Sequence, residues 1–258
     1  TEARARFAQE LRSFRPDLVG MTLFTYNALP GYRLAATMPE AGAVLIAGGP
    51  HPTVLPEEPL SHGIALSLSG EGEHAIVAIA EALERGGSLD TIAGLHTRSG
   101  HGPPYSAIED LDALPFPHAA AASTNAGAVA GGVVTSRGCP ARCTFCANYV
   151  TGRAYRWRSP ENVVAELVAL RRKYGLDHVP FWDDAFTARR PRLEALCDAI
   201  LAEPELRGMT WTCITPGNMV LPRDLERMRR AGCVAINFGI ESGDRSILRA
   251  IRKGQTPE

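Results

Sequence analysis

The chain has 258 residues, of which 45% are hydrophobic and 21% are charged, and its formal net charge is -1. That length is enough for about two domains of ordinary globular composition. The small net charge gives no electrostatic sign of a nucleic-acid partner or of an anionic membrane surface. No apolar run approaches the roughly 20 residues that a bilayer requires, and no secretory signal is visible in the charged, helical pattern of residues 1–14. We therefore expect a globular protein with no nucleic-acid partner and no membrane span.

Strand and helix patterns alternate over the first hundred residues. Short apolar runs that are typical of strands occur three times: residues 17–24, 43–49 and 64–70. A helix is predicted after the third run, because its apolar side chains recur at helical spacing: Ile76, Ile79, Ala80 and Leu83. Residues 92–105 resemble a small hairpin added at the sheet edge. This alternation indicates a parallel, doubly wound sheet.

A second alternating region follows residues 106–128. We predict that these residues are a linker, because they are rich in proline, alanine and small polar residues and lack periodicity. Four strands are predicted beyond the linker: residues 131–136, 178–184, 209–215 and 233–242. Between the first two, Ser159 is predicted to cap a helix that Gly175 ends. Successive βα units of this kind curl toward a barrel, and four units are too few to close one.

The predicted fold class is therefore α/β, with two incomplete domains. Residues 1–105 are predicted to form a partial doubly wound (Rossmann-like) domain, and residues 129–258 a partial (β/α) TIM-like barrel. The chain begins with Thr1 and ends soon after the fourth predicted barrel strand. We expect it to be truncated at both ends.

The six cysteines are unevenly distributed, because all of them lie between Cys139 and Cys233. A secreted disulfide framework would spread an even set through a small domain, so this pattern predicts a reducing compartment, the cytoplasm. Three of the six fall within eight positions: Cys139, Cys143 and Cys146. The other three lie in apolar stretches, and we interpret them as core residues: Cys197, Cys213 and Cys233.

The three clustered thiols suit zinc or an iron–sulfur cluster. A closed zinc site needs a fourth ligand, and the nearest histidines, His118 and His178, are more than 20 positions away. A four-iron cluster that is held by only three cysteines keeps one iron open for a substrate or cosubstrate. The thiols also follow the first barrel strand directly, at the strand end where barrel enzymes build their active sites. This position favours a chemical role for the metal over a structural one.

The spacing C-x-x-x-C-x-Φ-C, with Phe145 before the last cysteine, resembles the signature of the radical S-adenosylmethionine (SAM) superfamily. Two later stretches resemble the same family at the corresponding barrel positions: "FWDDAF" (181–186) and "FGIESGDRSILRAIRKG" (238–254). The resemblance implies that the three cysteines hold a 4Fe-4S cluster whose open iron chelates SAM. Electron transfer into the sulfonium would then release a 5′-deoxyadenosyl radical.

The same resemblance implies individual contacts with SAM. Phe145 would pack beside the adenine, and Asp183 and Asp184 would lie near the methionyl end. Glu241 and Ser242 would lie near the ribose or the amino group. Taken alone, the two aspartates could simply cap the following helix and Glu241 could be a solvated loop acid. Only their shared register with the cysteines favours a site.

The first domain contains the glycine-rich stretches "AGGPHPT" and "SGEGE", and "DLDALPFP" follows them in the linker. Over residues 17–117 these stretches resemble the cobalamin-binding domain of the cobalamin-dependent radical SAM family, which includes methylases and the anaerobic magnesium-protoporphyrin ester cyclase. The resemblance implies four residues that line the cobalamin: Thr22, Gly48, Gly49 and His51. A D-x-H-x-x-G motif, the usual source of a histidine ligand to cobalt, is absent from these residues. The alternative is that the glycines only make turns.

Together these resemblances predict an enzyme that uses a 4Fe-4S cluster, SAM and cobalamin to transfer a methyl group to an unactivated carbon. The predicted partners are a small-molecule substrate and an electron donor such as flavodoxin or ferredoxin. Two alternatives keep the radical chemistry: a cobalamin-containing oxidative cyclase and a cobalamin-free radical SAM enzyme. A third alternative is a zinc-stabilised binding module that combines the three cysteines with a distant histidine.

Overall fold

The computed structural model of the chain describes four segments: residues 2–38, 42–117, 132–148 and 152–257. It divides into two compact units, Thr1–Ile108 and Glu109–Glu258. The linker prediction for residues 118–128 lies outside the described residues. Among the helices of the described segments, none is long and apolar enough to cross a membrane.

The first unit is built on a five-stranded sheet whose strands are neighbours in chain order. Three of its strands are parallel: β1 (Leu18–Thr22), β2 (Val44–Gly48) and β3 (Leu66–Leu68). The remaining two form an antiparallel hairpin at the edge: β4 (Leu95–Thr97) and β5 (Gly100–His101). The three predicted strands and the edge hairpin are thus confirmed.

Helices cover both faces of this sheet. They are α1 (Glu2–Phe14), α2 (Ala28–Ala35), α3 (Pro50–Val54), α4 (Glu57–Ser61) and α5 (Glu73–Arg85). Because strand side chains alternate between faces, Leu45 of β2 packs in the cluster of Tyr32, whereas Ile46 packs in the cluster of Ile79. A doubly wound domain has this layering. In a complete doubly wound sheet, the spatial order of the strands also reverses at one point. The described strands lie side by side in chain order throughout, so this reversal is not found among them.

The second unit alternates parallel strands with helices. Its three-stranded sheet contains β8 (His178–Pro180), β9 (Thr210–Pro216) and β10 (Cys233–Gly239) in the spatial order β10-β9-β8. A single parallel bridge from Val133 to Phe181 places the first predicted strand beside β8. The helices are α6 (Pro160–Tyr174), α7 (Arg190–Ala202), α8 (Pro222–Arg230) and α9 (Arg245–Ala250). The chain therefore forms consecutive βα units in this region, as the sequence predicted.

A short antiparallel pair interrupts this alternation. Strands β6 (Ser136–Arg137) and β7 (Arg156–Trp157) pair with each other immediately before and after the cysteine-containing loop. The sequence pattern did not predict this pair, because two residues are too few to show a period. The pair closes the base of the cysteine loop.

Helix α6 has the ends that the sequence predicted. The Ser159 hydroxyl accepts a hydrogen bond from the Asn162 amide at 3.1 Å, and Gly175 ends the helix with φ +65°. The predicted stripe of this helix is buried in the core of the second unit together with Phe181 and Trp211: Val163, Leu167 and Leu170.

The beginning of the predicted linker packs on the second unit. The Ser159 amide donates to both carboxylate oxygens of Asp112, at 2.9 and 3.2 Å. The guanidinium of Arg158 lies 5.3 Å from the centre of the Phe116 ring, which is a cation–π distance. These contacts explain why the structure divides after Ile108 rather than in the middle of the proline-rich stretch.

Candidate functional site

The three clustered cysteines lie on the loop between β6 and β7, and all three are free thiols. Cys139 is buried, Cys143 is half-buried and Cys146 is exposed, so the loop offers thiols from its interior to the surface. Gly138 has φ +85°, and a Cβ at this position would lie 2.3 Å from the Ala154 carbonyl oxygen. Only glycine therefore permits the two ends of the loop to pass this close to each other.

An amide side chain holds the loop closed from within. The buried Asn148 donates through Nδ2 to the carbonyl oxygens of Cys139 at 3.0 Å and of Ala141 at 3.3 Å. The exposed backbone of the loop reaches across to the end of the unit, because the Thr144 amide donates to the Ile251 carbonyl at 2.9 Å. The loop is thus fixed at both its base and its outer edge.

The first thiol is buried near other acidic groups. Burial raises the pKa of Cys139, and the charges of Asp184, Cys146 and Cys143 act in the same direction. A bound cation would offset this repulsion, and thiolate ligands suit a soft metal centre. Within the described segments, no three His, Cys, Asp or Glu side chains converge closely enough to hold a single metal ion.

Asp183, which was predicted to lie near the methionyl end of SAM, uses both carboxylate oxygens within the protein. Its side chain is buried, and Oδ1 accepts from the Thr135 amide at 2.6 Å. Its Oδ2 accepts from the hydroxyls of Thr135 and Ser136, each at 2.5 Å. Both carboxylate oxygens are thus used to hold the chain that leads into the cysteine loop. The neighbouring Asp184 is exposed, and it is the member of the pair whose charge acts on Cys139.

A buried arginine completes the Asp183 network, and it was not among the predicted site residues. The Arg192 guanidinium lies 3.5 Å from Asp183 Oδ2, contacts the Thr135 hydroxyl and donates to the Phe186 carbonyl at 2.9 Å. It also donates to the Tyr155 hydroxyl at 3.3 Å. The sequence did contain a signal for this arginine, because Arg192 lies four residues before Leu196 and so shares the apolar face of the helix. An arginine on a buried face requires a partner for its charge.

The chain just beyond β10 is linked to the cysteine loop through Lys253. Glu241 has φ +67°, and its Oε1 accepts from Lys253 Nζ at 2.9 Å. The same ammonium lies 5.8 Å from the centre of the Phe145 ring. Ser242 is half-buried and its hydroxyl accepts from the Asp244 amide at 3.0 Å, so this hydroxyl supports the turn before α9. Phe145 and Glu241 are therefore within reach of one ligand.

The first unit contains a cavity of about 490 Å³ at the carboxyl ends of its parallel strands. Three of the four predicted cobalamin residues line it: Thr22, Gly48 and Gly49. Gly49 has φ +99°, and a Cβ there would lie 3.0 Å from Thr22 Cγ2. The further lining includes Gly70 and the exposed side of Ile76. Such a wall of backbone and small apolar surface lets a bulky ligand approach the strand ends closely.

His51, the fourth residue predicted to line the cobalamin, is not among the residues that line this cavity. Its ring is buried, with Nδ1 3.2 Å from the Thr25 hydroxyl and Nε2 3.1 Å from the Tyr32 hydroxyl. Nε2 is also 3.3 Å from a carboxylate oxygen of Glu58. Burial and the Glu58 charge together raise the pKa of Tyr32 to about 12. Because both ring nitrogens have partners, His51 serves as a structural link between α2, α3 and α4.

Comparison with known proteins assigns both units. Residues 133–258 match the radical SAM superfamily, and residues 1–80 match the B12 binding domain. The chain belongs to the cobalamin-dependent radical SAM family. Membership implies a 4Fe-4S cluster, SAM and cobalamin as its cofactors.

Individual members of the family extend this comparison. An uncharacterized methyltransferase of Pyrococcus horikoshii is 32% identical over 97% of this chain and 57% of its own length. The anaerobic magnesium-protoporphyrin IX monomethyl ester cyclase of Cereibacter sphaeroides is 28% identical over 97% of this chain and 44% of its own length. The radical SAM methyltransferase TsrM of Kitasatospora setae, solved with tryptophan and a SAM analogue, has the same fold: the TM-score is 0.83 at 20% identity, over 99% of this chain and 55% of that one. The chain thus spans about half the length of these relatives.

The two adjacent aspartates allow a matched test of their separate roles. We expect Asp183→Asn to lower the free energy of unfolding of the second unit by about 3 kcal/mol, because it leaves the Arg192 charge buried without its counter-charge. Asp184→Asn, at an exposed position, should change it by no more than about 0.5 kcal/mol. All three tryptophans lie in the second unit, so tryptophan fluorescence during denaturant unfolding reports on this unit alone. Equal effects of the two substitutions would contradict the assigned roles.

Proposed function

We propose that this chain carries the cofactor sites of a cobalamin-dependent radical SAM methyltransferase that acts on an unactivated carbon of a small molecule. The observation that supports this proposal most directly is that Lys253 Nζ lies beside both Glu241, just beyond the carboxyl end of strand β10, and the Phe145 ring of the cysteine loop. Active sites of βα barrels are built at that end. We also propose that the βα units of residues 129–258 are part of a TIM-like barrel and that residues 1–105 are the cobalamin domain.

The protein's own groups have separate tasks in this proposal. When bound, the cluster and SAM supply a carbon radical and cobalamin supplies the methyl group. Cys139, Cys143 and Cys146 would hold the cluster through their thiolates, and Cys139 is the buried member of the three. The Phe145 ring, which is 56% exposed, offers an apolar surface to the adenine. Glu241 offers a carboxylate oxygen to a hydroxyl or amino group of SAM.

The glycine-lined cavity of the first unit is the proposed cobalamin site. Its backbone wall at Gly48 and Gly49 would lie against the cofactor, and Thr22 offers a hydroxyl at the end of β1. No histidine is among the described residues that line it, and His51 is held by other partners. We therefore propose that these residues bind cobalamin without a histidine ligand from the described part of the chain.

Methyl transfer is favoured over ring formation because the relatives include methyltransferases that match nearly the whole chain. Cyclisation remains the second candidate, since the magnesium-protoporphyrin cyclase of Cereibacter sphaeroides matches over the same region. Analysis of the product separates the two, because only methyl transfer adds a carbon to the substrate. We further propose that a one-electron donor such as flavodoxin or ferredoxin reduces the cluster, in a reducing compartment such as the cytoplasm.

The cluster assignment predicts the iron content of two cysteine variants. Anaerobically reconstituted protein should hold about four irons per chain, and Cys143→Ala should lose most of them. Cys197→Ala is the matched control, because this thiol is buried on α7 and burial raises its pKa to about 12. It should keep its full iron content. A colourless wild-type protein with one zinc, or full iron in Cys143→Ala, would contradict the assignment.

The cobalamin assignment predicts that filling the cavity prevents binding. A Cβ at Gly48 would meet no atom within 4 Å, so Gly48→Leu should place its side chain in the cavity without straining the backbone. We expect this variant to fold normally and to lose the visible absorption of bound cobalamin after gel filtration. Ala80→Leu, at an exposed position of α5, is the control and should retain it. Retention of cobalamin by Gly48→Leu would show that the cofactor lies elsewhere.

A further inference from the structure

Lys253 is a buried lysine beside the proposed SAM site. Its side chain is only 7% exposed, whereas the side chain of its partner Glu241 is 36% exposed. Lysine is almost never buried to this degree unless its charge is paired. The 2.9 Å bond from Nζ to Glu241 Oε1 supplies that pairing. The lysine therefore approaches Glu241 from the protein interior, and the carboxylate faces outward.

The segment that carries this lysine connects two parts of the site. We call residues 251–255 the strap. On one side, the Ile251 carbonyl accepts from the Thr144 amide of the cysteine loop at 2.9 Å. On the other side, Gln255 Nε2 donates to the carbonyl oxygens of Gly239 at 2.9 Å and of Ile240 at 2.8 Å. The strap thus joins the loop that bears the thiols to the end of β10.

The position of the ammonium group depends on a glycine. A Cβ at Gly239 would lie 3.0 Å from Lys253 Nζ and 3.2 Å from Glu241 Oε1. The absence of a side chain at this strand end leaves room for the ion pair to lie over the backbone. From there Nζ also lies 5.8 Å from the centre of the Phe145 ring. A single ammonium group is therefore in contact with both of the side chains that the proposed function assigns to SAM.

We propose that Lys253 is a positioning residue for SAM. It occupies Oε1 of Glu241, so that Oε2 is turned toward the cosubstrate, and its charge holds the Phe145 ring next to Cys146. A fixed carboxylate and a fixed ring bind a ligand more tightly than mobile ones, because less conformational entropy is lost on binding. The inference rests on the proposed function, since it assumes that SAM binds at this site. Lys253 itself acts through Glu241 and Phe145.

The test is a double-mutant cycle on the full protein. The dissociation constant of SAM is measured by anaerobic equilibrium dialysis of the reconstituted wild type, Lys253→Met, Glu241→Gln and the double variant. Iron content is measured for each, together with the change that SAM causes in the electron paramagnetic resonance spectrum of the reduced cluster. Lys173→Met is the matched control, because Lys173 is the chain's other lysine and lies exposed in the last turn of α6.

We expect Lys253→Met to raise the dissociation constant of SAM about tenfold, the size of effect expected from losing a charge-assisted hydrogen bond. Its iron content should equal that of the wild type, and its spectral response to SAM should be weakened. Because the lysine acts largely through Glu241, the double variant should bind SAM little more weakly than Glu241→Gln alone. The Lys173→Met variant should behave as the wild type.

Other outcomes overturn the inference, and they are distinguishable. Unchanged SAM binding by Lys253→Met, or effects that simply add in the double variant, would show that the lysine does not act through Glu241. Loss of iron in Lys253→Met would show that it supports the cysteine loop instead. If the wild type and Lys173→Met both fail to bind SAM while holding four irons, the proposed function itself fails, and the inference fails with it.

Discussion

The buried ion pair of Asp183 and Arg192 is the interaction on which the second unit depends. It joins Asp183, three residues beyond the end of β8, to helix α7, and through Thr135 and Ser136 it fixes the chain just before the cysteine loop. Two charges in a protein interior are costly unless each is paired and hydrogen-bonded. Here the carboxylate has three close donors in addition to the arginine. The pair therefore sets where the cysteine loop begins relative to the parallel strands.

Both units omit side chains at strand ends that border the proposed sites. Gly48 and Gly49 open the first unit, and Gly239 leaves room for the ion pair beside the cysteine loop. Gly138 performs a different task, because it lets the two ends of the loop pass within contact distance of each other. The remaining surface of the proposed sites combines apolar groups with the Thr22 hydroxyl in the first unit, and with the thiols and the Glu241 carboxylate in the second. The protein thus contributes shape and ligands, and the cofactors contribute the reactivity.

Much of the fold and part of the site could be predicted, because the signals are local. The spacing of the three cysteines, the stripe of α6 and the hairpin at the sheet edge are all visible over short stretches. Asp183 and Asp184 look alike in sequence, and only the contact of Asp183 with Thr135, 48 positions away, makes it structural. The contacts of His51 could not be predicted for the same reason, since its partners Thr25 and Tyr32 are distant in the chain. The strand order of the first unit is likewise a long-range property.

The central claim is that three thiolates hold the cluster and leave its fourth iron open to SAM. The most direct measurement is electron-nuclear double resonance on the reduced, reconstituted protein with SAM that is labelled with ¹⁵N at its amino group. The account predicts a nitrogen coupling of the size that direct coordination to iron produces, present with labelled SAM and shifted with unlabelled SAM. The absence of such a coupling in protein that holds four irons and binds SAM would contradict the account.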